Sequence, residues 1–299
     1  MTQNEETSFP QPHFHTTEAN PNKQKPTKTR NFVPVILIGV ALGYLALMLY
    51  IPAVNVFYQA FRNGAGPFLS NLTESNFLSA AKLTVLLALI AVPVNTIFGL
   101  CAAWAIARHK FPGRTLILSI IDLPFSISPV VAGLMLVLLY GRNGWFGDWL
   151  QEHGIKIIFA FPGMLLATAF VSMPFVAREV IPVLEELGSD QEEAAQTLGA
   201  NRWQTFWRVT LPNIRWGLLY GLILTNARAM GEFGAVSVVS GNIAGKTQSL
   251  PLFVEDAYKQ YETEAAYSAA VILALLAVVT LVLKGILERK TGIKSTKGH

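Results

Sequence analysis

Six long apolar stretches divide the chain, with polar segments between them. A helix needs roughly 20 apolar residues to cross a hydrocarbon core about 30 Å thick. The stretches have between 19 and 26 residues each and cover positions 33–56, 83–107, 115–140, 157–177, 216–240 and 265–283. This pattern predicts an all-α integral membrane protein with six transmembrane helices.

Charged residues are scarce, which strengthens the prediction of a membrane protein. Only 14% of the 299 residues are charged, against about a quarter in soluble domains. The six stretches contain three charged side chains, Asp122, Arg228 and Glu232. Buried helices of a large soluble core would need polar helices to cover them, and the sequence does not supply such helices. The composition therefore disfavours an ordinary soluble enzyme.

The distribution of Lys and Arg predicts the orientation of the chain. With a cytoplasmic N-terminus, the cytoplasmic segments carry 16 of these residues and the loops on the other side carry 6. Positive residues are enriched on the cytoplasmic side of membrane proteins, so both termini are predicted to be cytoplasmic. The first stretch is longer than a signal-peptide core and is predicted to be an uncleaved anchor.

One apolar stretch contains a polar, proline-broken patch. Asp122, Ser126 and Ser128 alternate there with Pro124 and Pro129. Proline removes a backbone hydrogen bond, which is tolerated in a membrane where other helices or cavity water satisfy the freed carbonyl. The patch is typical of a helix that lines a translocation path. A kinked packing helix whose serines bond to their own backbone explains it equally well.

The longest predicted cytoplasmic loop, residues 178–215, has the features of a short docked helix. Gly188 can end the preceding helix, and Ser189 with Glu192 fits a capping box that begins the next one. Gly199 then ends this helix, and Trp203, Phe206 and Trp207 follow it.

Small side chains on this predicted helix would let another protein surface approach closely, and the aromatic residues would anchor the loop to the ends of the membrane helices. The alternative, an amphipathic helix lying on lipid, is disfavoured by the acidic residues of the loop.

The same loop resembles the EAA motif of ABC-importer permeases. That motif reads Glu-Ala-Ala, three residues, Gly, nine residues, Ile, one residue, Leu-Pro. The chain matches six of the seven specified positions, with Val209 in place of Ile. The matching residues are Glu193, Ala194, Ala195, Gly199, Leu211 and Pro212, and the spacing between them also matches. The resemblance implies that these residues couple the chain to an ATPase subunit.

A wider resemblance covers roughly residues 33–285. The segments 91–95, 111–114, 128–134, 210–216 and 225–241 are similar to sulfate/thiosulfate importer permeases, particularly the W-type member of their two-permease pair. The segment around 227–235 is also similar to molybdate importer permeases, so a permease for another oxyanion remains an alternative.

This resemblance implies a type I ABC importer permease fold and a multi-pass location in the bacterial inner membrane. The expected partners are two ATP-binding ABC subunits, a homologous T-type permease, a periplasmic sulfate-binding protein and membrane lipid. The chain itself is expected to be non-catalytic and to bind no cofactor, because ATP and Mg belong to the partner ATPase subunits. A secondary transporter driven by an ion gradient is the alternative from a different class.

The resemblance also divides the chain. Residues 1–31 are expected to be a disordered cytoplasmic tail, and residues 32–76 a first transmembrane helix with a periplasmic loop. The permease core is expected at 77–285, with the EAA coupling loop at 188–212. Residues 286–299 are expected to be a basic cytoplasmic tail.

Arg228 and Glu232 are four residues apart, so they share one face of the predicted fifth transmembrane helix. A guanidinium group can bind an oxyanion with two parallel hydrogen bonds, and Glu232 would neutralise Arg228 when the path is empty. The alternative is a static ion pair or a tie to a partner subunit. With Asp122, Ser126 and Ser128, this pair forms the candidate translocation path.

No other chemistry is predicted. The sequence contains no nucleophile–base pair, no metal-ligand cluster and no basic stripe with interleaved aromatics. Catalysis, a metal site and nucleic-acid binding are therefore not expected.

Overall fold

The computed structural model describes residues 33–291, and all the regular structure in this range is helical. The elements in chain order are α1 (Val33–Leu45), a π-helical turn (Ala46–Tyr50), α2 (Ile51–Phe61), α3 (Ala65–Thr73), α4 (Ser75–Arg108), α5 (Arg114–Ser126), α6 (Pro129–Tyr140), α7 (Gly147–Glu152), α8 (Phe161–Ser172), α9 (Pro174–Leu187), α10 (Asp190–Thr197), α11 (Arg202–Thr205), a second π-helical turn (Phe206–Thr210), α12 (Leu211–Met230), α13 (Gly234–Ser240), α14 (Leu250–Lys259) and α15 (Thr263–Thr291). The predicted all-α fold is confirmed.

Four helical runs among the described residues are long and apolar enough to cross a membrane. They are Val33–Phe61, Ser75–Arg108, Phe161–Leu187 and Thr263–Thr280. A fifth crossing exists if α5 and α6 count as one span. The membrane character is confirmed, while the number of six spans stays a prediction.

The third predicted span is broken rather than continuous. α5 and α6 meet at an angle of 110°. Ser128 is extended, with φ −57° and ψ 134°, and Pro129 begins α6. Proline disfavours a helical conformation in the residue before it, so the break falls at Ser128.

The fifth predicted span is also interrupted. α12 ends at Met230 and α13 begins at Gly234. The three residues between them include Glu232, which therefore lies at a helix break and not in the middle of a helix.

The fourth predicted span extends further than expected. The apolar run continues through α9 to Leu187, because one face of α9 buries Val180, Ile181 and Leu184. Arg178 therefore lies inside the helix that ends before Gly188, and the loop begins ten residues later than its predicted start at 178. The loop itself runs from Gly188 to Thr210.

The chain divides into two units between Ile51 and Pro52. In the first unit the described residues form α1 and the first π-helical turn, all exposed. The predicted tail at 1–31 lies outside the described residues. At the other end α15 continues to Thr291, past the predicted domain boundary at 285.

Glycines bring three helices of the second unit close together. A Cβ on Gly99 of α4 would lie 2.7 Å from Cβ of Val176, and one on Gly221 of α12 would lie 3.0 Å from Cα of the same valine. Small residues allow this close packing of membrane helices. Val176 belongs to a buried cluster with Ile106 and Ile214, and this packed unit supports the loop between α9 and α12.

Candidate functional site

Two glycines define the helix that the loop presents. Gly188, which follows α9, has φ 63°, and Gly199, which follows α10, has φ 90°. No atom lies within 4 Å of a Cβ built on either residue, so glycine is needed for the backbone conformation and not for space. The predicted ends at Gly188 and Gly199 are confirmed.

The predicted capping box at Ser189 and Glu192 is wrong. Ser189 Oγ instead donates a hydrogen bond to Glu193 Oε1, over 2.6 Å. The capping box of this loop lies at α11, where the backbone N–H of Gln204 donates to Asn201 Oδ1 and that of Asn201 donates to Gln204 Oε1. The spacing Asn-x-x-Gln was the sequence signal for it.

Glu192 forms an ion pair with Arg108, at the end of α4. Arg108 Nε donates to Glu192 Oε2 over 2.9 Å, and Nη2 donates to Oε1 over 3.1 Å. Their side chains are only 10% and 12% exposed. Two further bonds join this pair: Thr210 Oγ1 donates to Glu192 Oε1, and Arg108 Nη1 donates to the carbonyl of Leu184. The Arg108–Glu192 cluster thus ties α10 to α4, α9 and the second π-helical turn.

Two more contacts hold the same region. Arg114 of α5 forms an ion pair with Glu185 of α9. Asn213 Nδ2 of α12 donates to Gln191 Oε1 of α10 over 2.6 Å. Hydrogen bonds and ion pairs consequently connect α10 to α4, α9 and α12.

The outer side of α10 is open in this chain. Of the predicted coupling residues on and after this helix, Glu193, Ala194 and Gly199 are exposed and Ala195 is half-buried. Leu211 and Pro212 begin α12, and they connect the loop directly to the next long helix.

The three aromatic residues form a cluster beside α4. Trp203 lies edge-on to Trp207, with centroids 5.6 Å apart, and Phe206 lies 6.2 Å from Trp203. With Trp104 and Leu100 of α4, they line an apolar groove of about 590 Å³. The cluster therefore lies against the end of α4, as the anchoring hypothesis expects.

The two broken spans meet at their breaks. A Cβ on Gly133 of α6 would lie 2.7 Å from the carbonyl oxygen of Ala235 in α13. A Cβ on Gly234 would lie 2.8 Å from Cβ of Pro129. The start of α6 therefore packs against the start of α13, and the two proline- and glycine-marked breaks form one region.

Glu232 is buried in this region and holds the second break together. Its Oε1 accepts a hydrogen bond of 2.8 Å from the backbone N–H of Ala235. Its Oε2 lies 2.6 Å from Arg228 Nη1, as the spacing of four residues predicts. Glu232 thus bridges the end of α12 and the first turn of α13.

Asp122 has a partner that the sequence did not reveal. Arg178 Nε donates to Asp122 Oδ1 over 2.6 Å, and the Arg178 guanidinium lies 5.9 Å from the centre of the Phe125 ring. Ser126 and Ser128 are exposed next to them. The structure thus places Ser126 and Ser128 at the first break, Asp122 in α5 one turn before it, and Arg228 and Glu232 at the second break.

Residues 95–293, about two thirds of the chain, match the family described as "binding-protein-dependent transport system inner membrane component". The chain belongs to this family. It is an inner-membrane component of a transport system that works with a binding protein.

The relatives of the chain agree with this assignment. The sulfate transport system permease protein CysW of Synechocystis sp. is 69% identical over 260 residues, which cover 87% of this chain and 94% of the relative. The sulfate transport system permease protein CysT of Escherichia coli is 38% identical over 262 residues, covering 88% of this chain and 94% of the relative.

The fold has a counterpart among solved structures. A chain in the crystal structure of a bacterial alginate ABC transporter, in complex with an alginate-bound periplasmic protein, superimposes with a TM-score of 0.74. The match covers 88% of this chain and 96% of that chain at 18% identity. It shows that the fold is that of an ABC transporter permease.

Proposed function

We propose that this chain is one permease subunit of an ATP-driven ABC importer that carries sulfate and thiosulfate across the inner membrane. The observation that carries the proposal is the near full-length similarity to a protein named as a CysW sulfate permease. The open coupling helix α10 supports it, because a secondary transporter has no use for a docking helix that is tied to four other elements.

In the proposed complex this chain has four kinds of partner. It pairs with a T-type permease, a role supported by its similarity to CysT. It docks onto one of two ATPase subunits, receives the anion from a periplasmic binding protein, and contacts lipid. The chain crosses the membrane six times with both termini in the cytoplasm, which the excess of Lys and Arg in the cytoplasmic segments supports. ATP and Mg stay on the ATPase subunits.

Coupling starts at α10. Glu193, Ala194 and Ala195 face the ATPase subunit, and Gly199 with Leu211 and Pro212 sets the path of the chain into α12. Closure of the ATPase subunits on ATP moves α10. The Arg108–Glu192 cluster transfers this movement to α4 and α9, and hydrolysis resets it.

The translocation path follows the two broken spans. Asp122, Ser126 and Ser128 line it at the first break, and Arg228 with Glu232 lines it at the second. Because α6 and α13 pack closely at Gly133 and Gly234, the two breaks move together as a gate. The anion passes unchanged, so the chain needs no nucleophile or metal.

Substrate competition tests the proposal. The complete complex is reconstituted in vesicles with ATP on the ATPase side. Uptake of radioactive sulfate delivered by the binding protein is measured against an excess of unlabelled sulfate, thiosulfate or molybdate. We expect sulfate uptake that thiosulfate inhibits more strongly than molybdate does. Stronger inhibition by molybdate than by unlabelled sulfate would contradict the substrate assignment.

A further inference from the structure

Helix α5 carries a polar stripe along one side. Thr115, Ser119, Asp122 and Ser126 are spaced by four, three and four residues, which places them within one narrow face of a helix with 3.6 residues per turn. All the other residues from 116 to 125 are Leu, Ile, Pro or Phe. Thr115, Ser119 and Ser126 are exposed in the described structure. An apolar helix with such a stripe lines water or a polar partner and does not turn that face to lipid.

Arg178 of α9 lies across this stripe. Its guanidinium pairs with Asp122 and covers the ring of Phe125. The pair is well inside the helices: Asp122 is eight residues from the start of α5 at Arg114, about 12 Å at 1.5 Å per residue. Arg178 is nine residues from the end of α9 at Leu187, about 14 Å by the same rise. Since Arg114 pairs with Glu185, the start of α5 and the end of α9 lie together. Asp122 and Arg178 are therefore at similar distances from the same end of the two helices.

This ion pair is more open than the pair at the second break. The side chain of Arg178 is 55% exposed and that of Asp122 is 30% exposed, against 31% for Arg228 and 1% for Glu232. Glu232 also accepts a hydrogen bond from the backbone N–H of Ala235, so the carboxylate of the second pair is held by two contacts. Asp122 engages Arg178 only through Nε, so the two Nη groups of the guanidinium still offer four N–H donors.

We propose that Arg178 is the cation that binds the oxyanion in the inner half of the translocation path, along the stripe from Ser126 to Thr115. This inference rests on the proposed function. A charge half-exposed at this depth is costly against lipid and marks a substrate path or a polar partner surface. A planar guanidinium binds a tetrahedral dianion such as sulfate with paired hydrogen bonds. The hydroxyls of Thr115 and Ser126 supply further donors, whereas Ser119 Oγ donates to the carbonyl of Thr115. Asp122 holds Arg178 when the path is empty, and it displaces the anion toward the cytoplasm when the pair re-forms.

Three variants of the complete complex separate binding from a structural role. Arg178→Gln is expected to lower the kcat/KM of sulfate uptake at least about tenfold, the size of a hydrogen bond to a charged group. Asp122→Asn is expected to lower KM, because it frees the cation. The double variant removes both charges, so a merely structural pair would leave its uptake near that of the wild type. We expect the double variant to stay as impaired as Arg178→Gln, and recovery of wild-type kcat/KM in it would overturn the proposal.

Thiol labelling maps the stripe itself. In a Cys101→Ser background, Thr115→Cys, Ser119→Cys and Ser126→Cys are treated with an anionic, membrane-impermeant thiol reagent from the ATPase side. Matched controls on the other faces of α5 are Leu116→Cys and Ile120→Cys, which are also exposed in this chain. We expect labelling at the stripe alone and slower labelling in the presence of sulfate. Equal labelling of the controls, or labelling that sulfate leaves unchanged, would overturn the proposal.

The proposed function and the role of Arg178 can be contradicted separately. A wild-type complex that does not take up sulfate contradicts the proposed function. A wild-type complex that does so, together with a fully active double variant, contradicts the role of Arg178 alone.

Discussion

Removing the charge of Glu192 tests how movement of α10 reaches the membrane helices. Glu192→Gln keeps the shape of the side chain but removes the charge that pairs with Arg108. The side chains of Arg108 and Glu192 are 10% and 12% exposed. Breaking a buried ion pair by removing one partner costs about 3–5 kcal/mol. Both side chains keep some contact with solvent, so the lower value of about 3 kcal/mol applies. A loss of this size shifts the equilibrium between α10 bonded to Arg108 and α10 detached from it by roughly 100-fold.

The assay measures the number of sulfate ions imported per ATP hydrolysed in vesicles that contain the complete complex. We expect this ratio to fall severalfold in Glu192→Gln while the complex still assembles and hydrolyses ATP, since the outer side of α10 is unchanged. Glu186→Gln is the matched control, because Glu186 is an exposed carboxylate of α9 without a hydrogen bond or ion pair in the part of the chain that the structure describes. A wild-type ratio in Glu192→Gln would refute the role of the Arg108–Glu192 cluster.

Three further substitutions probe the loop and the breaks. Gly199→Val forces a β-branched residue to φ 90°, a strain of about 1–3 kcal/mol, so we expect complex assembly or uptake to be lost while membrane insertion stays normal. Gly66→Val is the control, because that site has open space and no positive φ. Normal uptake in Gly199→Val would contradict a docking role. Gly133→Ala places a Cβ 2.7 Å from the carbonyl oxygen of Ala235, so sulfate uptake should fall. Gly39→Ala is the control and should leave uptake unchanged, because no atom lies within 4 Å of a Cβ at that site. Equal uptake in both variants would show that the breaks do not act as one gate. Arg228→Ala should abolish uptake in correctly inserted protein, and unchanged uptake would remove Arg228 from the path.

The sequence predicted those features that depend on local patterns. The apolar stretches marked the long helices, and Gly188 and Gly199 marked the ends around α10, because a positive φ favours glycine in any context. The spacing of the EAA motif located the loop that the structure leaves open to a partner. Arg228 and Glu232 pair as expected, because a separation of four residues brings two side chains together on any helix.

Contacts between distant segments could not be predicted in this way. Ser189 and Glu192 have the spacing of a capping box. The carboxylate of Glu192 instead accepts a hydrogen bond from Arg108, 84 residues away in sequence. Arg178 lies between two apolar stretches, and the sequence indicates only that a helix ends at Gly188. One face of that helix, α9, is buried, and only the fold brings Arg178 next to Asp122.

The source of energy for uptake tests the central claim most directly. Radioactive sulfate uptake is measured in vesicles that contain the complete complex and the binding protein, either with ATP and an uncoupler or with an imposed ion gradient and no ATP. If the chain is an ABC permease, we expect full sulfate uptake with ATP and the uncoupler together, and no uptake with the ion gradient alone. Uptake that the gradient drives without ATP, or that the uncoupler abolishes, would contradict the account.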